Sequence, residues 1–190
     1  MERRSFEEKH ILLLSQAIDI SEELISNYYK ISTSDWKRYR YDIRTLKDLL
    51  EDEITDFAFA QIRRYIRDPR VKELASKHGD FFKICLQDHV ILRALERDPE
   101  IQFLPLVTYI VTHELIHVVR FAKFLQRFET DPAESQREER RVHSITYELL
   151  VNQRIPHMNH VLEAFKDQRI METFATSPSK LYEDRTPKRL

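Results

Sequence analysis

Pro105-Leu106-Val107-Thr108-Tyr109-Ile110-Val111-Thr112-His113-Glu114-Leu115-Ile116-His117-Val118-Val119-Arg120 is apolar on nearly every side at its start, yet it carries two histidines and a glutamate in its middle. A helix that is apolar all round belongs in a core. Pro105 suits the first turn of a helix reaching about Phe128, because a proline deeper inside would break the hydrogen-bond ladder. Burying ionisable groups without partners costs several kcal/mol each, so a core helix keeps such a cluster only where something compensates it. A metal ion is the simplest compensation; a helix whose histidines bond to backbone or carboxylates is the plainer alternative. His113 and His117 are four apart and share a face, so two imidazoles can converge on one ion. Glu114 lies one position round and can polarise a water on that ion.

Outward from this helix, the chain reads as helical. It has one glycine, Gly79, in 190 residues, which is scarce for tight hairpins or a glycine-rich phosphate loop. Asp68-Pro69, Asp98-Pro99 and Asp131-Pro132 each set a capping carboxylate before a proline suited to the first helical position. Ser5 and Glu8 have capping-box spacing for a helix over about residues 6–29. The spacing of Ile43, Leu46, Leu50, Ile54, Phe57, Gln61 and Tyr65 predicts a second helix over about 35–67. Further helices are predicted from Asp68 to near Gly79, from Asp80 to about Arg97, from Asp131 to about Gln153, and from Pro156 to before Ser177. The expected fold is therefore all-α, a multi-helix bundle around a buried central helix, with little or no sheet. A single helical metal-binding domain would span 1–176, and a loose tail 177–190.

With 42% hydrophobic residues the chain can build a core. A net charge of -1 neither favours nor forbids nucleic acid or anionic membranes, so such binding would need a local patch. Tyr28-Tyr29-Lys30 through Trp36-Lys37-Arg38-Tyr39-Arg40-Tyr41 mixes bases and aromatics that could grip a single strand; a solvated helix start with amphipathic side chains is the preferred reading, and nucleic acid is not expected as a partner. Cys85 is the sole cysteine, which rules out an internal disulfide and fits a reducing compartment. The apolar runs Ile11–Leu14 and Phe103–Val111 fall well short of the roughly 20 residues a membrane span needs. A cytoplasmic protein without a membrane partner is expected.

A catalytic zinc usually takes three protein ligands and a water, so a third donor is sought on another element. The next helix offers Glu139 and His143, four apart and near one stripe with Val142, Thr146, Leu149 and Leu150. Two antiparallel helices joined at about residues 129–131 would bring that stripe against the His113/His117 face. The pairing of His113-Glu114-x-x-His117 with Glu139-x-x-Val142-His143-x-x-Thr146-x-x-Leu149-Leu150 resembles the site helix and glutamate helix of gluzincin metallopeptidases, including the small ImmA/IrrE-type members. The resemblance covers about residues 105–153. It implies that His113, His117 and Glu139 are zinc ligands and that Glu114 is the general base. His143 would stand in the place of the Asp or Asn that usually follows the ligand glutamate. It also implies a sheet upstream of the site helix, along whose edge a peptide substrate lies, whereas the sequence itself shows no convincing strand. The expected chemistry is hydrolysis of a peptide or other small amide. Zn would lower the pKa of its water and polarise the carbonyl, Glu114 would shuttle the proton, and His143 or Tyr147 would steady the oxyanion.

Other chemistries fit some of the same residues. Glu114 and His117 are also a Glu-x-x-His pair, the unit that di-iron carboxylate bundles repeat. Glu53 falls beside Leu46, Leu50 and Phe57, where a carboxylate is otherwise out of place. Glu53, Glu114, His117, Glu139 and His143 could then hold two Fe or Mn ions in a ferritin-like oxidase or iron-handling protein, with His157, His160 and Glu163 as substitutes for the missing second pair. A regulatory module with a structural metal is the non-enzymatic reading. Cys85 and His89, four apart, read as core and surface residues rather than ligands. Arg120 is expected to pair with Glu53 or Glu139.

Overall fold

Tyr39, Tyr41 and Ile43 alternate with Arg40, Asp42 and Arg44, a period of two that suits a strand. The computed structural model describes residues 3–67, 81–166 and 173–182. Helices α1 (Glu8–Tyr29) and α2 (Thr33–Arg38) lead into strand β1 (Tyr41–Arg44), and two short 3-10 turns, Leu46–Asp48 and Glu51–Glu53, lead to β2 (Ala58–Arg67). Then come β3 (Phe81–Leu86), α3 (Asp88–Arg97), α4 (Phe103–Ala122), α5 (Pro132–Leu150), α6 (Met158–Lys166) and β4 (Thr173–Tyr182). The strands form one mixed sheet in the order β1-β3-β2-β4. β1 runs parallel to β3, β2 antiparallel to β3, and β4 parallel to β2.

The fold is thus helix-rich but not all-α. The helix predicted over 35–67 is instead α2, β1, two 3-10 turns and β2. Leu50 and Phe57, part of its supposed inward stripe, are mostly exposed. The residues from Asp80 to Arg97 divide into β3 and α3, because Phe81, Phe82 and Ile84 are aromatic and β-branched and pair with β2. Scarce glycine did not forbid a sheet of this kind. Two of its three pairings are parallel and need long connections rather than tight turns, and the antiparallel pair is joined through residues 68–80. The helix predicted from Asp68 to Gly79 lies outside the described residues. β4 takes in residues 177–182 of the segment expected as a tail, while 183–190 lie outside the described residues. The long second helix on which a ferritin-like bundle was to be built is therefore replaced by α2, β1, the 3-10 turns and β2.

The helices around the site follow their predicted starts. Asp131 Oδ1 accepts the Glu134 N–H at 2.8 Å with Pro132 in the first turn of α5. Asp98 instead follows the end of α3 and accepts the Glu100 N–H at 3.1 Å in the turn before α4. The first helix is capped at Glu7, whose N–H donates to His10 Nδ1 at 3.0 Å, rather than at Ser5. Every residue of α4 from Pro105 to Phe121 is buried. α4 packs against α1, α5, α6 and β2. From α1 it meets a face of Leu14, Ala17, Ser21 and Ile25, spaced at helical period, with Ser21 Oγ 2.9 Å from Thr112 Oγ1. From the sheet, Phe82 stacks on Phe121 with centroids 5.6 Å apart. The buried Asp88 carboxylate opens α3 and accepts the N–H groups of Phe6 at 2.8 Å and Leu46 at 3.0 Å, which binds three stretches of chain together.

On the other face of the sheet, Glu53 is almost completely buried. Its two oxygens accept from Lys83 Nζ at 2.8 and 2.6 Å, Oε1 also from the Tyr65 hydroxyl at 2.8 Å and Oε2 also from the Leu50 N–H at 2.8 Å. Burial alone would raise the carboxyl pKa, but the Lys83 ammonium and the other donors bring it below the usual carboxylate range. Both oxygens are engaged, so Glu53 stands in the structure as the ion-pair partner of Lys83. Removing one partner of a buried pair leaves the other uncompensated. Glu53→Gln is therefore expected to cost about 3 kcal/mol in denaturant unfolding, while the metal content of the purified chain, read by elemental analysis, stays that of the parent.

Candidate metal centre

Helical spacing places Tyr109, His113 and His117 on successive turns of α4, and Glu139 and His143 on successive turns of α5. The two helices run antiparallel, so that Arg120 meets Glu138 while Tyr109 meets His143. Between these ends the Glu139 carboxylate enters the His113/His117 face. Its Oε1 lies 2.9 Å from His113 Nε2 and its Oε2 3.3 Å from His117 Nε2. The two histidine Nε2 atoms are 3.2 Å apart. His143 Nε2 is 3.6 Å from Glu139 Oε1. The ligand atoms of His113, Glu139 and His143 lie within 4.8 Å of one another.

These spacings fit an ion. Four ligands at the Zn–N and Zn–O distances of about 2.0–2.1 Å sit about 3.3 Å from each other in a tetrahedron. Donor chemistry fits as well, because neutral imidazole and carboxylate are common zinc ligands. Burial pushes the His113 pKa down to about 3 even though the Glu139 charge pulls it back, so the ring is neutral near pH 7. His143 is likewise lowered, first by burial. Burial would raise the Glu139 carboxyl, but the contacts from His113 and His117 outweigh it and hold the group ionised. Glu114, 1% exposed, has no hydrogen-bond partner for Oε1 among the described residues. Its pKa is raised well above the ordinary value, by burial and then by the charge of Glu139. A buried carboxyl with an unpartnered oxygen one residue from His113 is what a nearby cation would compensate.

Of the residues predicted from the sequence, His113, His117, Glu139 and His143 come together, with Glu114 on the same helix. Tyr147, one turn beyond His143, is 44% exposed, and no hydrogen bond ties its hydroxyl to the cluster among the described residues. Arg120 pairs with Glu138 at 2.5 Å rather than with Glu53 or Glu139. Cys85 and His89 lie on different elements, β3 and α3. Burial pushes the Cys85 thiol up to about 12, and His89 Nε2 lies 2.8 Å from Asp56 Oδ1. The aromatics of the Tyr28–Tyr41 segment pack together: Trp36 meets Tyr39 and Tyr41 edge-on and donates from Nε1 to Ser26 Oγ at 2.7 Å. No helix among the described residues is long and apolar enough to cross a membrane.

Two contributors were missed. The Tyr109 hydroxyl lies 2.8 Å from His143 Nδ1, and Gln126 Oε1 lies 3.1 Å from His117 Nδ1. Tyr109 was signalled by its position one turn before His113. Gln126 sits beyond the helix end and carried no such signal.

No family model, curated protein or solved structure matches the chain.

Between its ordinary pKa of 6.5 and about 3, His113 accepts a proton in the unfolded chain but not in the folded one. The unfolded state then binds more protons, so stability must fall as pH drops through that window, with no contribution from His113 above it. The melting temperature of the metal-free protein is expected to decline on acidification below pH 6.5 and to decline less steeply in His113→Gln. Equal slopes for the two would remove His113 as the cause.

Proposed function

We propose that the chain is a metal-dependent hydrolase of peptide or other amide bonds, with one zinc ion held by His113, His117 and Glu139 and with Glu114 as the proton-transferring base. The observation that carries this reading is the set of three donor side chains spaced as a metal shell requires, with a buried Glu114 Oε1 that has no hydrogen-bond partner one residue from His113. When bound, zinc would polarise the substrate carbonyl and bring the pKa of a water toward neutrality.

The chain's own residues do the rest. His113 and His117 present Nε2, and the contact of His117 Nδ1 with Gln126 Oε1 fixes which ring nitrogen is free to donate its lone pair. Glu139 brings a negative oxygen to the same point. Glu114, kept basic by its apolar surroundings, takes a proton from the attacking water and returns it to the leaving amine. Glu139 and His143 are each about one-third exposed while His113 and His117 are buried, so the cluster is reached from the α5 side.

The gluzincin resemblance supports a peptide as substrate, because the sheet it implied upstream of the site helix exists, with three of its strands preceding α4. β1 stands at one end of the strand order, where an extended peptide could add.

Mutation separates the roles. His113→Ala and His117→Ala are each expected to lose stoichiometric zinc, read by elemental analysis of protein purified without added metal. Glu114→Gln should keep the ion and lose peptide hydrolysis by at least about a hundredfold, whereas Glu139→Gln should weaken zinc binding itself. A Glu114→Gln variant that loses zinc beside a Glu139→Gln variant that retains it would sink the assignment.

A further inference from the structure

We propose that His143 is a fourth protein donor to the same ion, so that the chain closes its own coordination shell at rest and a substrate reaches the ion only when His143 swings out. This inference rests on the metal-binding reading above and adds regulation to it.

Geometry places His143 inside the cluster rather than beside it. Its Nε2 is 3.6 Å from Glu139 Oε1, and its ring centroid is 4.5 Å from that of His113. Its other nitrogen is held: Nδ1 lies 2.8 Å from the Tyr109 hydroxyl. Tyr109 is 2% exposed and stacks on Phe165 with centroids 3.9 Å apart and planes at 11°, so the hydroxyl is fixed in place. A phenol oxygen can accept the Nδ1–H, which leaves the Nε2 lone pair directed at Glu139 and its neighbours. His117 has the same arrangement with Gln126. Such support of the distal ring nitrogen is what metal-ligating histidines almost always have.

Three imidazoles and one carboxylate fill a tetrahedral shell and leave no position for water or substrate. Two features point to a gate rather than to a purely structural ion. His143 is 34% exposed where His113 is buried completely, so it is the donor on the solvent side and can turn outward without displacing α4. Glu114, one residue from His113, is a buried carboxyl outside the four donors, and it has work to do only when a water or substrate enters.

The test uses the full chain loaded with Co(II), whose visible bands report the coordination shell, together with chelator competition for Zn(II) affinity. Acetohydroxamate serves as the probe of an open position. The parent is expected to bind one ion per chain and to respond weakly to hydroxamate. His143→Ala should hold its ion at least about tenfold more weakly and bind hydroxamate at least about tenfold more tightly. Tyr109→Phe keeps the ring stacked on Phe165 and removes only the hydroxyl. It should shift both readouts in the same direction by less, which guards against a folding defect in the alanine variant. A parent that binds one ion while His143→Ala matches it in metal affinity and hydroxamate response overturns this inference alone. A parent that takes up no ion overturns it together with the metal-binding reading.

Discussion

The insertion of the Glu139 carboxylate between His113 and His117 is the contact on which the arrangement of the helices depends. α4 is buried from Pro105 to Phe121, so polar side-chain atoms on that stretch can be satisfied only by what neighbouring elements bring to them. Glu139 supplies the ionised group that faces both imidazoles, and α5 must therefore cross α4 at one height and in one direction. The turn through residues 123–131 and the cap at Asp131 set that height. Arg120 with Glu138 at one end, and Tyr109 with His143 at the other, hold it.

Burial tunes the same groups in opposite directions. It keeps His113 neutral and hence able to donate a lone pair, and it makes Glu114 a strong base by depriving the carboxylate of solvent. Glu139 escapes that effect only because two ring nitrogens touch it. Glu53, as deeply buried as Glu114, is balanced in another way: the Lys83 ammonium lies against its carboxylate. Depth alone therefore does not mark a carboxylate as a metal ligand.

The clustering of the candidate site's side chains was largely legible in the sequence and the sheet was not, for one reason. His113, His117, Glu139 and His143 lie within two helices whose pattern is local, so their spacing alone put them on facing stripes. The sheet is made by partners far apart in the chain, such as Ala58 with Thr173 and Ile43 with Ile84. No local period announces such pairs. Around Tyr41 the alternation was short, and the three-, four- and seven-residue spacings of Ile43, Leu46, Leu50 and Phe57 imitated a helix although Leu50 and Phe57 face solvent. Glu53 was rightly picked out as a buried carboxylate, but Lys83, which explains it, stands 30 residues away.

The parallel pairing of β2 with β4 has a consequence for how the chain is made. β2 is translated early and its partner some 100 residues later, which at roughly 5–20 residues per second is a wait of several seconds. During that time the β2 edge offers unpaired backbone groups to any extended strand nearby. The helices α4 and α5 can meet before the edge is covered, since everything they share precedes β4. The order of the elements thus allows the histidine cluster to assemble before the sheet closes, and a nascent chain stalled between the two would hold that cluster beside an adhesive edge.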